Sequence, residues 1–223
     1  MERHNRTVKI IGESGLERLL NSSVLIVGNG GVGSYAAEAI GRSGVGKITV
    51  MDGDEVAESN INRQLVALTS TVGLKKAEVE AARLRDINPD AEVTAVAQFY
   101  KTGEEIDVTA FDYVVDAIDD VDAKVLLIKK CVEQGVPVIS SMGAAGKLGT
   151  DFRIEDLAKT GTCPLAKVMR KRLRQEGIEH LPVVYSLEKP IPRNGELGSI
   201  SYVPAACGLV LGGYVVRKLA GIE

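Results

Sequence analysis

The chain has 223 residues, a formal net charge of -3, 45% hydrophobic residues and 26% charged ones. That length buries a real core as one large domain or two small ones, and the balance excludes wholesale disorder and a uniformly basic nucleic-acid coat, though not a local basic patch. Glycine is plentiful at 24 residues, aromatics make up only 4% and tryptophan is absent, which suits an α/β protein with glycine-rich turns and aliphatic packing.

Residues 6–20 read as one or two short helices interrupted by Gly12 and Gly15. Ser23 to Gly28 is a continuous apolar run, the pattern of a buried parallel strand. Gly31 to Arg42 carries Val32, Ala36 and Ile40 at helical spacing, and Lys47 to Asp52 is a second strand. Gly73 to Ile87 is an amphipathic helix stopped by Asn88-Pro89. Strands follow at Glu92–Ala97, Tyr113–Ile118 and Val138–Ser141, with a helix from Val121 to Glu133 between the last two. Strands alternating with helices predict right-handed βαβ units and a largely parallel sheet over residues 22–142. The rhythm then changes to a strand from Phe152 to Glu155, a basic helix from Leu165 to Arg174, a strand from Pro182 to Leu187, a loop over Pro190–Gly198 and an apolar helix from Val203 to Leu219. This tail has little alternation of its own and reads as an extension that completes the sheet and covers one face, not as a separate domain.

Several function classes fall away. Cys131, Cys163 and Cys207 are far apart, odd in number and free of any C-x-x-C, so a four-cysteine zinc site within the chain is excluded, and reduced thiols are expected in place of a disulfide framework. His4 and His180 show no metal spacing. The longest apolar run, Val203 to Val216, falls short of the ~18 residues of a membrane span. The N-terminus Met1-Glu-Arg-His-Asn-Arg is polar, without the apolar stretch of a signal peptide. The expectation is a soluble cytoplasmic protein with no membrane partner.

Gly28-Asn29-Gly30-Gly31-Val32-Gly33 follows a strand and opens a helix, the context of a phosphate-binding turn in a Rossmann-like α/β fold. Gly28 allows the tight turn, Gly30 lets the backbone approach a phosphate, and Gly33 lets helix and strand pack closely. Asp52, at the end of the second strand, suits the ribose of NAD and of ATP equally. The next motifs separate the two. Asp52-Gly-Asp54 leads to Asn60-Ile-Asn62-Arg63-Gln64, then to Gly73-Leu-Lys75-Lys76-Ala-Glu, then to Asp116-Ala-Ile-Asp119-Asp120. Carboxyl ends of parallel strands open onto one crevice, which would hold Asp52, Arg63, Lys76 and Asp119. Two cations and a carboxylate beside a phosphate-binding turn point to a triphosphate with Mg²⁺ more than to a hydride carrier. Taken singly, each has a plainer alternative: Arg63 a solvated loop charge, Lys76 a helix-surface lysine, Asp119 a helix N-cap.

GNGGVG, the MDGD-to-NINRQ segment, GLKKAE and DAIDD, in this order, resemble the ThiF/MoeB/HesA adenylating family, which is related to the ubiquitin-activating enzymes. The resemblance runs over nearly the whole chain. It implies a single adenylating domain, with an N-terminal helical arm at 1–21, a nucleotide-binding βαβ core at 22–142 and a C-terminal substrate-binding extension at 143–223. It implies Mg-ATP as the reagent and carboxyl adenylation as the chemistry. Asp52 would hold the ribose, Asn60, Arg63 and Lys76 the phosphates, and Asp119 the Mg²⁺, with Gly28, Gly30, Gly31, Gly33 and Asp54 completing the nucleotide site and Lys75 in reserve for Lys76. Arg6 resembles the arginine that reaches into the partner's site in the family's homodimers.

The tail resembles one branch of that family, the tRNA threonylcarbamoyladenosine dehydratases. The likeness rests on Ser141-Met-Gly143-Ala-Ala-Gly146-Lys147, Cys163-Pro-Leu-Ala-Lys to Arg174, Val183 to Pro190 and Leu197 to Pro204. The zinc cysteine pairs usual in activators of ubiquitin-like proteins, the alternative class of substrate, are missing. Cys163 stands where an acid is more usual, and it lies where a thioester cysteine would be; an incidental thiol is the plainer reading. The branch implies the anticodon loop of tRNA as substrate and, for some relatives, a cysteine desulfurase or sulfur acceptor as a partner, to which no residue here speaks. Lys167, Arg170, Lys171, Arg172 and Arg174 crowd into one helix of an otherwise acidic chain and suit tRNA phosphates, or else a solvated helix face. Lys147 would add to that patch or be a surface loop charge. Tyr185 and Tyr202 would stack on a base or simply pack.

Overall fold

The computed structural model describes residues 2–222. Its strands are β1 (Ser23–Val27), β2 (Lys47–Met51), β3 (Glu92–Val96), β4 (Tyr113–Asp116), β5 (Val138–Ser141), β6 (Phe152–Asp156) and β7 (Pro182–Ser186). Its α-helices are α1 (Asn5–Leu20), α2 (Gly33–Ser43), α3 (Lys76–Ile87), α4 (Val121–Glu133), α5 (Pro164–Gln175) and α6 (Tyr202–Ala220). The strands form one seven-stranded sheet in the order β3-β2-β1-β4-β5-β7-β6. Every pairing is parallel except β6 with β7, so the C-terminal segment extends the sheet as expected and ends it with an antiparallel edge.

The apolar runs are explained by burial on both faces. Val24 and Ile26 pack with Ala36 and Ile40 of α2 and Leu211 and Val215 of α6, while Leu25 and Val27 pack with Leu127 and Ile128 of α4 and Met169 and Leu173 of α5. Alternate residues of one strand thus enter two different cores, so a strand buried on both sides must be apolar throughout.

Several boundaries and one helix differ from the sequence reading. α1 is two helical segments joined at Gly12, whose φ of 74 is not helical. α3 begins at Lys76 instead of Gly73, because Gly73 and Leu74 exchange backbone hydrogen bonds with Val56. α6, at 19 residues, is long and apolar enough to cross a membrane by length and composition, beyond the shorter run visible in the sequence. Here it lies across α2 and the sheet, so closely that a Cβ on Gly208 would fall 2.3 Å from the Val32 carbonyl oxygen.

Candidate active site

β1 is flanked by β2 on one side and β4 on the other, so the chain reverses direction across the sheet between β1 and β4. Crossover helices diverge at such a point and leave a crevice at the carboxyl ends of the strands. A crevice of ≈ 1280 Å³ lies there. It brings together Gly28, Gly30, Gly31, Asp52, Asp54, Arg63, Lys76 and Asp119. Gly33, Asn60 and Arg6 do not line it.

The turn after β1 is built by steric exclusion. Gly28 has φ 89, and a Cβ there would meet the Ala117 carbonyl oxygen at 2.6 Å. A Cβ on Gly33 would lie 1.8 Å from the Gly28 oxygen, so only glycine lets α2 start this close to β1. Gly33 therefore shapes the turn from behind.

Asp52 closes β2. Its Oδ2 accepts the Asn29 N–H at 2.6 Å and its Oδ1 accepts the Asp54 N–H at 2.8 Å. Burial pushes its carboxyl above the ordinary range, and those two N–H donors pull against that rise. One lone pair on each oxygen remains for a ligand hydroxyl. Lys76 opens α3 with only 5% exposure, and its Nζ donates to Asp54 Oδ2 at 2.8 Å. Lys75 is instead paired with Glu55 at 3.1 Å, so of the two lysines Lys76 faces the crevice. Arg63 is half-buried, and its Nη1 donates to the Ser59 carbonyl and to Asn62 Oδ1, each at 2.9 Å. Asn60 lies outside the crevice because its Oδ1 accepts the Ala57 N–H, tightening the short helix that presents Arg63.

Asp119 is exposed in the crevice, with no hydrogen bond or ion pair to another described residue. The N-cap of α4 is its neighbour Asp120, whose Oδ1 accepts the Ala123 N–H at 2.8 Å. The pairing of a capped helix with a free preceding carboxylate leaves Asp119 available to a ligand.

The basic residues of the tail do not form the single patch their spacing suggested. Lys147 is 4% exposed and donates its ammonium to the Glu188 carbonyl, so it is neither a surface loop charge nor part of a basic face. Arg170 turns inward to the Thr160 carbonyl at 2.9 Å and to the Thr160 hydroxyl. Arg172 pairs at 2.6 Å with Asp122, itself on the crevice wall. Lys167, Lys171 and Arg174 remain as an exposed stripe along α5, opposite the buried Ala166, Met169 and Leu173.

Cys163 is 1% exposed at the start of α5, and burial pushes the Cys131 and Cys207 thiols up to about 12. None of the three is a ready nucleophile. Tyr185 is buried in β7, Tyr202 is partly exposed at the head of α6, and His180 sits 2.8 Å from Asp156 on the surface.

The sequence reading passed over Phe99 and Ser199. Phe99 lies against Gly53, and the Lys101 ammonium is 4.9 Å from its ring centre. Ser199 reaches the crevice because Asn62 Nδ2 donates to its carbonyl at 2.9 Å. Phe99 belongs to no glycine-rich or charged motif, its local signal being an aromatic residue just past a strand, whereas Ser199 lies within the Leu197–Pro204 segment but carries no charge to mark it. Chemically, the crevice offers backbone N–H groups, the cations Arg63, Lys76 and Lys101 and the free carboxylate of Asp119, with Gly143, Ala144 and Ala145 also on its wall. That set can bind a nucleoside triphosphate and stabilise charge as a phosphorus–oxygen bond breaks.

The ThiF family model matches residues 2–223. The chain is 44% identical to a tRNA threonylcarbamoyladenosine dehydratase of Bacillus subtilis, over 98% of this chain and 95% of that one. Its fold superposes on the E. coli tRNA N6-threonylcarbamoyladenosine dehydratase solved with AMP at a TM-score of 0.93 and 37% identity, covering 99% of this chain and 95% of that one. The same enzyme solved with ATP gives a TM-score of 0.91 at 36% identity, with the same coverage.

Proposed function

We propose, from the premise that this chain belongs to the ThiF family, that it uses ATP to dehydrate threonylcarbamoyladenosine in tRNA through a carboxyl-adenylate. One observation carries the reading. A single crevice gathers the glycine turn, Asp52, Arg63, Lys76 and Asp119, in a chain that aligns almost end to end with a dehydratase of that substrate.

An oxygen of the threonyl carboxylate attacks the α-phosphorus of ATP, and pyrophosphate departs. A nitrogen of the same modified side chain then attacks the activated carbonyl and loses a proton, and AMP leaves. The nucleoside loses one water while ATP becomes AMP and pyrophosphate. Lys76 and Arg63 hold the phosphoryl oxygens as charge develops, and Asp52 orients the ribose. Because the nucleophile is intramolecular, the buried thiols are not needed.

The free carboxylate of Asp119 beside the phosphate turn is a hard oxygen donor suited to Mg²⁺, which typically takes one or two carboxylates and completes its shell with phosphates and water. When bound there it would neutralise charge on the triphosphate. The modified nucleoside would lie along the wall at Gly143 to Ala145, and the stripe of Lys167, Lys171 and Arg174 starts beside Leu165 on the crevice wall and suits tRNA phosphates. Arg6, exposed on the first turn of α1 and away from this crevice, fits a homodimer in which it reaches the partner's triphosphate. The activity belongs to the cytoplasm, where tRNA and ATP meet.

The test combines the purified protein, Mg-ATP and tRNA bearing threonylcarbamoyladenosine, followed by digestion and mass measurement of the nucleoside. Loss of one water, dependent on ATP and matched by AMP release, is expected. An unchanged nucleoside with intact ATP binding would move the reading to another carboxylate, such as the C-terminus of a ubiquitin-like sulfur carrier.

A further inference from the structure

Beneath the crevice lies an ion pair that contacts no ligand-facing surface. Asp116, at the end of β4, and Lys124, one turn into α4, are both 0% exposed, with Nζ 2.8 Å from Oδ2. Ser140 of β5 donates its hydroxyl to the same Oδ2 at 2.6 Å. Burying two charges is costly unless the arrangement around them is well satisfied, and an apolar pair would fill this space without that cost. The remaining contacts suggest why it is there. Asp116 Oδ1 accepts the Ile118 N–H at 3.1 Å, and Lys124 Nζ donates to the Ile118 carbonyl at 3.0 Å. Both backbone polar groups of Ile118 are therefore gripped by the two ends of one ion pair. Ile118 immediately precedes Asp119. The peptide from Ala117 to Ile118 also rests on the phosphate turn, since a Cβ on Gly28 would meet the Ala117 oxygen at 2.6 Å and the Ile118 nitrogen at 3.0 Å.

We infer that Asp116 and Lys124 are positioning residues, a buried clamp that fixes the 117–119 segment against the Gly28 turn and so sets Asp119 relative to the ATP phosphates. The inference rests on reading the crevice as the ATP site. It assigns to the pair a role in the ATP constant that a merely structural pair would lack. The clamp acts from two sides: it holds the turn that binds the phosphates, and it aims the carboxylate that follows.

The experiment uses the intact protein with Asp116→Asn and Lys124→Met combined, which keeps the side-chain volumes and leaves no lone buried charge. Circular dichroism and thermal melting establish that it folds. ATP affinity is then measured by calorimetry with Mg²⁺ and in excess EDTA, alongside steady-state AMP formation. The expected result is a melting temperature near that of the parent, an ATP dissociation constant raised about tenfold in excess EDTA and by more than that with Mg²⁺, and a lowered kcat at saturating Mg-ATP. A folded double variant whose ATP constants stay within twofold of the parent overturns the clamp. Ser140→Ala, which removes one bond to Asp116 and no charge, should raise the constant about threefold. It decides the matter if the double variant does not fold, and an unchanged constant there is equally fatal. Asp119→Ala is run in parallel. Full activity in that variant overturns the role given to Asp119, whereas the EDTA arm judges the clamp through the Gly28 turn alone.

Discussion

The Lys76 ammonium stands 2.8 Å from the Asp54 carboxylate, with the lysine side chain 6% exposed and the aspartate 52%. A buried cation whose one ion pair among the described residues is to a half-exposed acid is a donor that a phosphate can take over, because a polyanion competes well with one partly solvated carboxylate. Lys76→Met should therefore lower kcat/KM for AMP formation by roughly 10²- to 10³-fold, the usual cost of deleting one charge-stabilising donor. Lys75→Ala, which breaks only the outer pair with Glu55, should change it by less than about twofold. Equal effects of the two substitutions would reverse the assignment.

Arg63 and Asp119 are both accessible from the crevice, and neither is part of a core. Arg63→Ala and Asp119→Ala should abolish AMP formation and leave unfolding free energies within about 0.5 kcal/mol of the parent. Paired urea titrations and AMP assays measure both. Substantial activity remaining in either variant would show that the residue is placed near the triphosphate without acting on it.

Glu80 of α3 is 0% exposed, and its carboxylate oxygens have no well-formed hydrogen bond among the described residues, Asn29 offering only a marginal one. Burial, aided by the Glu38 charge, pushes its pKa from 4.5 up to about 8. The folded protein thus keeps a proton that the unfolded chain releases between those values, and stability must fall as pH rises through the window. Glu80→Gln removes that slope. The variant should be more stable than the parent at pH 8, by an amount on the order of a few kcal/mol, and nearly equal to it at pH 5. A gain independent of pH would mean that Glu80 is ionised in the folded state.

The cations of α5 divide by direction. Combined alanine substitution of Lys167, Lys171 and Arg174 should weaken tRNA binding and reduce the slope of log affinity against log salt by roughly 2 to 3, close to one unit for each lost phosphate contact. Arg170→Ala should act on the fold instead, costing ~1–3 kcal/mol through the unsatisfied Thr160 carbonyl and leaving the salt slope as it was. Filter binding across a salt series separates the two. An unchanged slope in the triple variant would make the stripe a solvated helix face.

Much of the fold was legible because it is local. The strands β1, β2 and β4 announce themselves as apolar runs, and Asn88-Pro89 ends α3 where predicted, with proline restricting the residue before it. The close packing of α6 on α2 was not legible. Gly208 reads in sequence as a weak point in a helix, and only the approach of Val32 shows why a side chain cannot stand there.

The sequence by itself determined that the glycine turn, Asp52 and Asp119 meet in one crevice, since each lies within a few residues of a strand's carboxyl end, and a parallel sheet brings all such ends to one edge. The tertiary structure decided among neighbours of like chemistry: Lys76 over Lys75, Asp119 over Asp120 as the free acid, and Lys171 outward with Arg170 inward. Successive residues in a helix or turn point in widely different directions, and which direction meets solvent, a partner or a ligand depends on elements far away in the chain. The grip of Asp116 and Lys124 on Ile118 has the same origin: β4, α4 and β5 must all be in place before the charges can meet.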